Sequence, residues 1–313
     1  MEQIRAVIVD TGAQDRLVIR PVPAPTPSPS QALVRVAAVS LNLGEVRRSM
    51  TADAGWRPGW DLAGTVEKAA ADGAGPRAGA RVVGFVPSGA WAELVAVPTN
   101  ALAILPETVS FAQASTLPVA GLTALYSLDR NGSLLGRSVL VTGASGGVGH
   151  FGCQLARHAG ARVVGTVRRA EREKHAREAG AHEIVIGEDI SPAAALGPYH
   201  LVLESVGGSS LAAALSMLAP DGVCVLYGVS ASAEVTFNAR SFFTVGGASL
   251  YGFILFHEIK RWPASDGLAR LVHLVAEGAL RPPIEVEAPW SEIATVAHNF
   301  FNRGIPGKAV LRL

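Results

Sequence analysis

The chain has 313 residues, a length that allows two domains. Hydrophobic residues make up 49% and charged residues 17%, which supports sizeable cores and excludes an intrinsically disordered protein. The formal net charge of +1 excludes the strongly basic surface that nucleic acid or an acidic membrane attracts. There is no apolar run of bilayer length, no secretory leader at the start, and only Cys153 and Cys224 for disulfides. These features predict a cytoplasmic protein without a membrane or nucleic-acid partner.

The first third of the chain has the pattern of a small β-barrel. Short β-prone runs are separated by glycine-containing turns, and alternate prolines between residues 21 and 29 predict an extended surface connector. Many short strands with glycine turns are typical of a barrel. The runs are 6–10, 17–20, 32–39, 65–66, 81–85 and 91–97.

The pattern changes at residue 111. Residues 111–128 have the apolar spacing of a helix, and from residue 138 continuous β-branched runs alternate with helical segments. Strands that are buried on both faces and joined by helices form a parallel, doubly wound sheet. The predicted strands are 138–142, 162–167, 183–186, 200–205, 223–227 and 248–255, and the predicted helices are 148–159, 172–179 and 209–218. The tail predicts helices at 268–277 and 291–301 and a final strand at 309–313.

A glycine-rich string directly follows the first of these strands and opens the next helix. Residues 139–149 read VLVTGASGGVG. Gly146 allows the backbone to approach a pyrophosphate, Gly149 allows the helix to pack close to the strand, and the helix N-terminus offers free N–H groups to phosphates. Ala144 replaces the first glycine of the usual fingerprint. The alternative is a tight strand–helix turn without a ligand, but the strand–turn–helix context favours dinucleotide binding.

The cofactor preference is predicted from the end of the second strand of this sheet. NAD-binding proteins carry an acidic residue there for the ribose 2′-hydroxyl. This chain reads Gly165-Thr166-Val167-Arg168-Arg169 instead, followed by Arg172. Because guanidinium groups pair with phosphate through charge-assisted bonds, Thr166, Arg168, Arg169 and Arg172 predict NADPH. The alternative is that these arginines are a solvated helix start paired with nearby glutamates.

Landmarks along nearly the whole chain resemble the medium-chain dehydrogenase/reductase superfamily. The similarity is greatest to its zinc-independent branch of quinone oxidoreductases and enoyl reductases. The landmarks, in chain order, are SLN (40–42), PGWDLAG (58–64), GAWAE (89–93), LPVAGLTA (117–124), ASGGVG (144–149), ESVGG (204–208), LYG (226–228) and GKAVL (307–311).

The resemblance implies an α/β fold with a GroES-like β-barrel domain and a doubly wound Rossmann domain. The substrate domain would comprise residues 1–120 and 257–313, and the Rossmann domain residues 121–256. The active site would lie in a cleft. The family also implies a homodimer that pairs the last Rossmann strand, here 248–255, since an exposed strand edge needs a cover or a partner.

The resemblance also implies cofactor contacts. Asn42 and Thr123 would lie near the nicotinamide ribose and amide, and residues 145–148 would surround the pyrophosphate. The expected contacts on the phosphate loop and along the groove are Ala144, Ser145, Gly146, Gly147, Val148, Gly149, Val206, Gly228, Val229, Ser230 and Phe253.

The zinc ligands of the superfamily are missing from the sequence. Zinc members have an early catalytic cysteine, a Gly-His-Glu step and a four-cysteine lobe; here the first two positions read Leu41-Asn42-Leu43-Gly44 and Gly59-Trp60-Asp61. Zinc needs three or four converging N, S or O ligands, and the eight histidines show no such spacing. The sequence therefore predicts no metal site.

Without a Lewis acid, reduction of a conjugated C=C is less demanding than reduction of a simple carbonyl, because the charge spreads into an enolate. We therefore predict an NADPH-dependent oxidoreductase that reduces a small enone, enoyl thioester or quinone.

Relatives often have a tyrosine shortly after the Asn42 segment, and this chain has none there. Asn42, as a donor to a carbonyl oxygen, and Arg48, as a partner for an anionic group, are the catalytic candidates; a capping amide and a solvated arginine are the alternatives. Two other functions stay open, a carbonyl or alcohol oxidoreductase and a non-catalytic NADPH-binding protein.

Overall fold

The computed structural model describes residues 2–13 and 16–313. The chain divides into two compact units. The first comprises residues 1–122 and 259–313, and the second comprises residues 123–258. The sequence-based division at residues 120 and 257 stays a prediction of where the substrate and cofactor domains separate. None of the helices in the described part of the chain has both the length and the apolar character that a bilayer crossing requires.

The first unit is built around a long central strand. Its strands are β1 (Gln3–Val9), β2 (Leu17–Pro23), β3 (Gln31–Ser40), β4 (Asp61–Lys68), β5 (Arg81–Phe85), β6 (Leu94–Pro98), β7 (Leu102–Ile104), β14 (Ile284–Pro289) and β15 (Lys308–Arg312). The seven-stranded sheet has the order β14-β15-β3-β4-β5-β7, with β6 on β3, and β1 and β2 form a separate antiparallel pair. One half of the central strand β3 pairs with β6 and the other half with β15, while β4 pairs along its other edge, so the C-terminal strand joins a sheet formed by the N-terminal part of the chain. The helices are α1 (Leu43–Thr51), α2 (Phe111–Ser115), α9 (Ala264–Ala276) and α10 (Ile293–Phe301).

Three elements of this unit were not predicted from the sequence: helix α1, the three-residue strand β7 and strand β14. Helix α1 begins after Asn42, and the Glu45 side chain accepts a hydrogen bond from the Asn42 backbone N–H at 2.8 Å, which is half of a capping box. Strand β14 pairs in parallel with β15 but alternates between exposed and half-buried residues at the sheet edge, so it lacks a continuous apolar run.

The second unit is a six-stranded parallel sheet in the order β10-β9-β8-β11-β12-β13. This order is that of a doubly wound Rossmann sheet, with its crossover point between β8 and β11. The inner strands are apolar and buried on both faces. The strands are β8 (Ser138–Val141), β9 (Arg162–Val167), β10 (Glu183–Ile186), β11 (Tyr199–Glu204), β12 (Leu218–Leu226) and β13 (Ser249–Gly252). The helices are α3 (Leu122–Leu128), α4 (Gly147–His158), α5 (Glu173–Glu178), α6 (Gly208–Ser216), α7 (Ala239–Phe243) and α8 (Leu255–Glu258).

Several sequence predictions differ from the structure in their bounds. The helix predicted over 111–128 is interrupted by a π-helical turn at Leu117–Gly121, where Pro118 cannot donate a backbone hydrogen bond. The last Rossmann strand, predicted over 248–255, ends at Gly252, and α8 begins at Leu255. Strand β4, predicted at 65–66, comprises Asp61–Lys68, and β12, predicted over 223–227, begins at Leu218. The topology agrees with the predicted α/β fold class, with a largely antiparallel sheet in one unit and a doubly wound parallel sheet in the other.

Candidate functional site

The phosphate loop joins β8 to α4 at the carboxyl end of the sheet. A Cβ on Gly149 would lie 2.3 Å from the Gly143 carbonyl oxygen, so only glycine allows α4 to approach the turn this closely. Gly146 caps α4 without a side-chain hydrogen bond. The first-turn amides of this 12-residue helix are therefore available for an anion, and the helix dipole favours a negative charge at that end.

The side chains of Ala144 and Thr166 are buried at the base of the phosphate loop. The Ala144 N–H donates to the Thr166 carbonyl at 2.9 Å. The methyl group of Ala144 fills the space above Gly165, where a Cβ would be only 2.9 Å away. Their side chains shape the turn, so a cofactor contact through either side chain stays a prediction without geometric support.

The loop is tied to the neighbouring strand end across the crossover point. The Ser205 N–H donates to Thr142 Oγ1 at 2.9 Å, and Ser205 Oγ donates to the Thr142 carbonyl at 3.2 Å. Ser230 N–H donates to the Ser205 carbonyl at 3.0 Å, which brings the segment after β12 to the same edge. The predicted groove residues Val206, Gly228, Val229 and Ser230 therefore follow the two strand ends next to the phosphate loop.

The remaining predicted groove residues differ in their exposure. Phe253 is buried and its N–H donates to the Leu226 carbonyl at 2.8 Å, immediately after β13. Val229 is exposed, and Thr123, at the start of the second unit, is buried. Each stays a predicted contact.

The arginines that follow β9 form a cationic segment. Strand β9 pairs with β8, the strand that leads into the phosphate loop. Arg168 and Arg169 are exposed and have no ion-pair partner among the described residues. The Glu173 carboxylate is occupied by Arg177 Nη2 at 2.7 Å, so it does not neutralise them. Arg172 lies in the short 3₁₀ turn Ala170–Arg172 and is partly buried.

A buried polar cluster in the first unit surrounds Asn42. We define it by Ser40, Asn42, Glu45, Asp61 and Lys308, all of which are buried. Asn42 Nδ2 donates to Glu45 Oε1 at 2.9 Å and to Asp61 Oδ2 at 2.8 Å. Lys308 Nζ donates to Asn42 Oδ1 at 2.6 Å and to the Leu41 carbonyl at 2.7 Å.

Four of the sequence landmarks meet in this cluster. Asn42 ends the SLN segment, Asp61 opens β4, and Lys308 opens β15. The fourth landmark joins through Val119, whose N–H donates to Asp61 Oδ1 at 3.0 Å. Because these segments are far apart in sequence, the cluster is a tertiary feature that no local pattern could reveal.

The cluster contains two carboxyl groups, Glu45 and Asp61, but only one ammonium group, Lys308. Lys308 Nζ lies 3.6 Å from Asp61 Oδ2, and Asp61 also accepts hydrogen bonds from Asn42 and Val119. Burial raises the pKa of the Glu45 carboxyl well above its usual range, and the nearby Asp61 charge raises it further. Burial therefore disfavours a charge on Glu45, whereas Asp61 lies directly against the Lys308 ammonium.

The two catalytic candidates have different surroundings. Both Nδ2 protons of Asn42 are used by carboxyl groups, so Asn42 retains only acceptor capacity, at Oδ1. Donation from Asn42 to a substrate carbonyl, as predicted from the sequence, would require one of these bonds to break. The Arg48 guanidinium is exposed and lies 4.9 Å from the centroid of the Trp56 ring.

Glu45, Asp61 and Lys308 were given no role from the sequence. Asp61 and Lys308 belonged to landmarks, and the Asn42-x-x-Glu45 spacing of a capping box was the signal that could have placed Glu45 at the start of a helix. Lys308 offered no local signal, because a lone lysine near a chain end is usually exposed.

Comparisons with known proteins agree with this architecture. Residues 28–107 match the family described as alcohol dehydrogenase GroES-like domain, and residues 147–270 match the family described as zinc-binding dehydrogenase. Rat quinone oxidoreductase is 30% identical over 268 residues, covering 82% of this chain and 80% of the rat protein. A solved mycobacterial quinone oxidoreductase has a TM-score of 0.88 at 26% identity and covers both chains fully.

Two further solved structures are similar over almost the whole chain. A mycobacterial protein in complex with NADPH has a TM-score of 0.87 at 26% identity, covering 99% of this chain and 100% of its own. A 2-haloacrylate reductase has a TM-score of 0.86 at 26% identity and covers 99% of each chain.

A GroES-like unit, a Rossmann unit and a glycine-rich phosphate loop together define a nicotinamide-dependent oxidoreductase that acts on a small molecule. The chain belongs to the medium-chain dehydrogenase/reductase superfamily, in the branch that resembles quinone oxidoreductases. The resemblance stated from the sequence is thereby confirmed.

The residues at the superfamily's catalytic zinc position do not fit a zinc ion. Trp60 stands where zinc members have histidine, and its ring packs so closely on Gly44 that a Cβ there would lie 2.9 Å away. Over residues 2–13 and 16–313, no three His, Cys, Asp or Glu side chains converge as ligands.

Proposed function

We propose that this protein is an NADPH-dependent reductase of a conjugated C=C, as in an enone or enoyl thioester, or of a quinone. The observation that carries the cofactor preference is the pair Arg168 and Arg169, exposed and without carboxylate partners among the described residues, at the strand end where an NAD enzyme has an acid. A 2′-phosphate supplies the charge that these guanidinium groups lack. The similarity to a solved NADPH complex supports the same preference.

The substrate class is proposed from the residues that stand at the superfamily's zinc-ligand steps. Neither the SLN segment nor the GWD step carries the cysteine or histidine of the zinc members, so a reaction whose charge delocalises is the easier one to support. When bound, NADPH supplies the hydride. The substrate's β-carbon receives it, the enolate spreads the charge over its oxygen, and solvent protonates the α-carbon.

The chain's own residues would bind, orient and exclude water. The amides at the start of α4 hold the pyrophosphate, and Arg168, Arg169 and Arg172 hold the 2′-phosphate. Asn42 and Thr123 hold the nicotinamide end, and the groove residues Val206, Gly228, Val229, Ser230 and Phe253 line the rest. A reductase of this kind gains most of its rate from positioning.

Arg48 is proposed to bind an anionic substrate group. Its guanidinium is already ordered on Trp56, which reduces the entropy lost when an anion binds. One similar structure is named a 2-haloacrylate reductase, and a haloacrylate combines a conjugated C=C with a carboxylate. A small unsaturated acid is therefore the first anionic substrate to assay.

The test is turnover with product analysis. The protein is incubated with NADPH or NADH and an enone such as but-3-en-2-one, and separately with 2-chloroacrylate and a benzoquinone. A saturated ketone formed with at least tenfold higher kcat/KM for NADPH is the expected result. An allylic alcohol would favour the carbonyl reductase, and tight NADPH binding without turnover of any of these would favour a non-catalytic protein.

A further inference from the structure

Lys308 is the buried charge that the proposed chemistry leaves without a role. Its ammonium is enclosed by protein, with only 1% of the residue exposed, and every polar contact of its Nζ is to the Asn42 cluster or to the Leu41 carbonyl. Removing an ammonium group from water is costly, so a lysine at such a position has to be offset by several good contacts. Lys308 has three, to Leu41, Asn42 and Asp61.

The two ends of the Asn42 side-chain amide have different kinds of hydrogen-bond partner. Lysine can only donate hydrogen bonds and an ionised carboxylate can only accept them. Lys308 lies against the oxygen of the Asn42 amide, and Glu45 and Asp61 lie against its nitrogen. Rotation of the amide by 180° would place the Asn42 NH₂ against the Lys308 ammonium and the Asn42 oxygen against the Asp61 carboxylate, so these two charges fix one orientation.

The fixed orientation limits what Asn42 can bind. With both Nδ2 protons held, the remaining capacity is the second lone pair of Oδ1, which accepts a hydrogen bond. Asn42 is also the least buried member of the cluster, at 8%, whereas Glu45 and Asp61 are at 0%. The amide is therefore the point at which the cluster can reach a ligand, and that ligand must offer a donor.

We propose that Lys308 is a positioning residue that fixes the Asn42 amide as a hydrogen-bond acceptor for the nicotinamide end of the cofactor. The donors available there are the ribose hydroxyls and the carboxamide N–H groups. Asn42 then orients the cofactor and does not donate to the substrate carbonyl. The inference rests on the proposed function, since it requires Asn42 to contact the bound cofactor.

The cluster joins two segments of the chain that correspond to the zinc-ligand steps of other members of the superfamily. Asn42 belongs to the first zinc-ligand step of the chain and Asp61 to the second. Their side chains are joined directly at 2.8 Å, and Lys308 bridges both from β15. An ion-pair network therefore holds these segments in the place of a shared metal.

The test is a cycle of variants measured by steady-state kinetics. Lys308→Met alone leaves the Asp61 carboxylate buried without its ion-pair partner, so the main variant is Lys308→Met with Asp61→Asn, which removes both charges. We expect this pair to fold, to bind NADPH within about threefold of wild type because the phosphates dominate affinity, and to lose about 10- to 100-fold in kcat because the nicotinamide is less well held. Lys68→Met is the control. Lys68 is an exposed lysine at the end of β4 opposite to Asp61 and lies outside the cluster, so its kcat should stay at the wild-type value.

The cycle is completed in an Asn42→Ala background. If Lys308 acts through Asn42, the two charge-removing substitutions cause no further loss of kcat once Asn42 is gone. A multiplicative loss in the combined variant, or a wild-type kcat in the charge-free pair, would overturn the role of Lys308. Absence of turnover in the wild type would refute the proposed function itself, which is a different outcome.

A second measurement uses the unmodified protein and does not depend on any variant being active. The Asn42 side-chain NH₂ resonances of a ¹⁵N-labelled sample are assigned as those missing from the spectrum of Asn42→Ala. Both protons should exchange slowly and keep their hydrogen-bonded shifts when NADP⁺ is added. If NADP⁺ released either proton from its carboxyl partner, Asn42 would be a donor to the ligand and the inference would be wrong.

Discussion

Gly149 is the residue at which the phosphate loop allows the least change. Gly149→Ala places a methyl carbon 2.3 Å from the Gly143 carbonyl oxygen, a backbone atom that cannot rotate away. We expect a loss of about 2 kcal/mol or more in the free energy of unfolding, and weaker NADPH binding because α4 moves away from the turn. Thermal unfolding with and without NADPH measures both effects. Gly252→Ala is the control, because its added methyl group would meet no atom within 4 Å; an equal loss in both variants would contradict the packing argument.

Arg168 and Arg169 are the residues whose substitution tests the cofactor preference. Substitution of both by glutamine should lower kcat/KM for NADPH by about 100-fold or more, since each charge-assisted bond to a phosphate contributes about 1.5 to 3 kcal/mol and two are removed. kcat/KM for NADH should change little, because NADH has no 2′-phosphate. Arg240→Gln, an exposed arginine on α7, is the matched control. Parallel losses with both cofactors would show that these arginines do not read the 2′-phosphate.

The residues that could be predicted lie in short continuous segments, whereas those that could not are brought into contact from distant positions in the sequence. The phosphate loop and the arginines after β9 form short continuous strings, so strand–turn–helix context was sufficient to single them out. Lys308 and Asn42 are in contact across 266 positions, and nothing near Lys308 in the sequence indicates burial. The role of Asn42 as a donor stays a prediction, and two of the partners that bear on it, Asp61 and Lys308, come from distant segments that local sequence could not place beside it.

At the scale of elements, α4 combines the phosphate-binding end with a buried histidine. Burial lowers the pKa of His150 to about 4 from 6.5, with a further contribution from His175. The unfolded chain therefore binds more protons than the folded chain between pH 6.5 and pH 4, and stability falls as the pH falls through that window. The loss amounts to about 3 kcal/mol over the window.

The variant that tests this is His150→Gln. It should lose the part of the acid sensitivity that comes from the buried imidazole, so its free energy of unfolding should fall by about 3 kcal/mol less than that of wild type between pH 7 and pH 4. Urea titrations at several pH values provide the measurement. His158→Gln, at the exposed end of the same helix, should retain the wild-type slope. An unchanged slope in His150→Gln would mean that another group causes the acid sensitivity.

Strand β13 is the element at which we propose that two copies of the chain pair. It bonds to β12 on one side only, and Leu250 on it is 42% exposed. An unprotected edge is a template for another strand. If the protein is a dimer through this edge, Leu250→Lys should shift it to the monomer in sedimentation velocity. Leu135→Lys, which changes an exposed leucine elsewhere in the same unit, should not; a dimer that survives Leu250→Lys would place the interface elsewhere.

The elements themselves were predictable where their pattern was long and regular. The Rossmann strands follow continuous apolar runs, and most bounds agree within a few residues. In the first unit helix α1 and strands β7 and β14 were missed, because α1 has mixed polar spacing over nine residues, β7 has only three residues and β14 lies at an edge with alternating glutamates. In the second unit the short helices α7 and α8, of five and four residues, were missed. The capping signal at Asn42 and Glu45 was present in the sequence but was not used.

On the scale of the whole molecule, the chain leaves its first unit, forms the second and returns. Strand β15 lies between β14 and β3, and its residues from Lys308 to Leu311 are buried. Periodicity alone indicated a β-rich start and a separate tail; the resemblance to a family was needed to join them into one unit. The reason is physical, since pairing between β3 and β15 depends on tertiary contacts and not on local propensity.

The proposed function depends on transfer of hydride from NADPH to the β-carbon of a conjugated C=C without a metal. This transfer can be followed with NADPH carrying deuterium at C4 on the transferred face, a chelator-treated protein and an enone, with the product analysed by NMR. We expect one deuterium on the β-carbon of a saturated ketone, at an undiminished rate after chelation. Deuterium on the carbinol carbon of an allylic alcohol, or activity that returns only when zinc is added, would refute the proposed function.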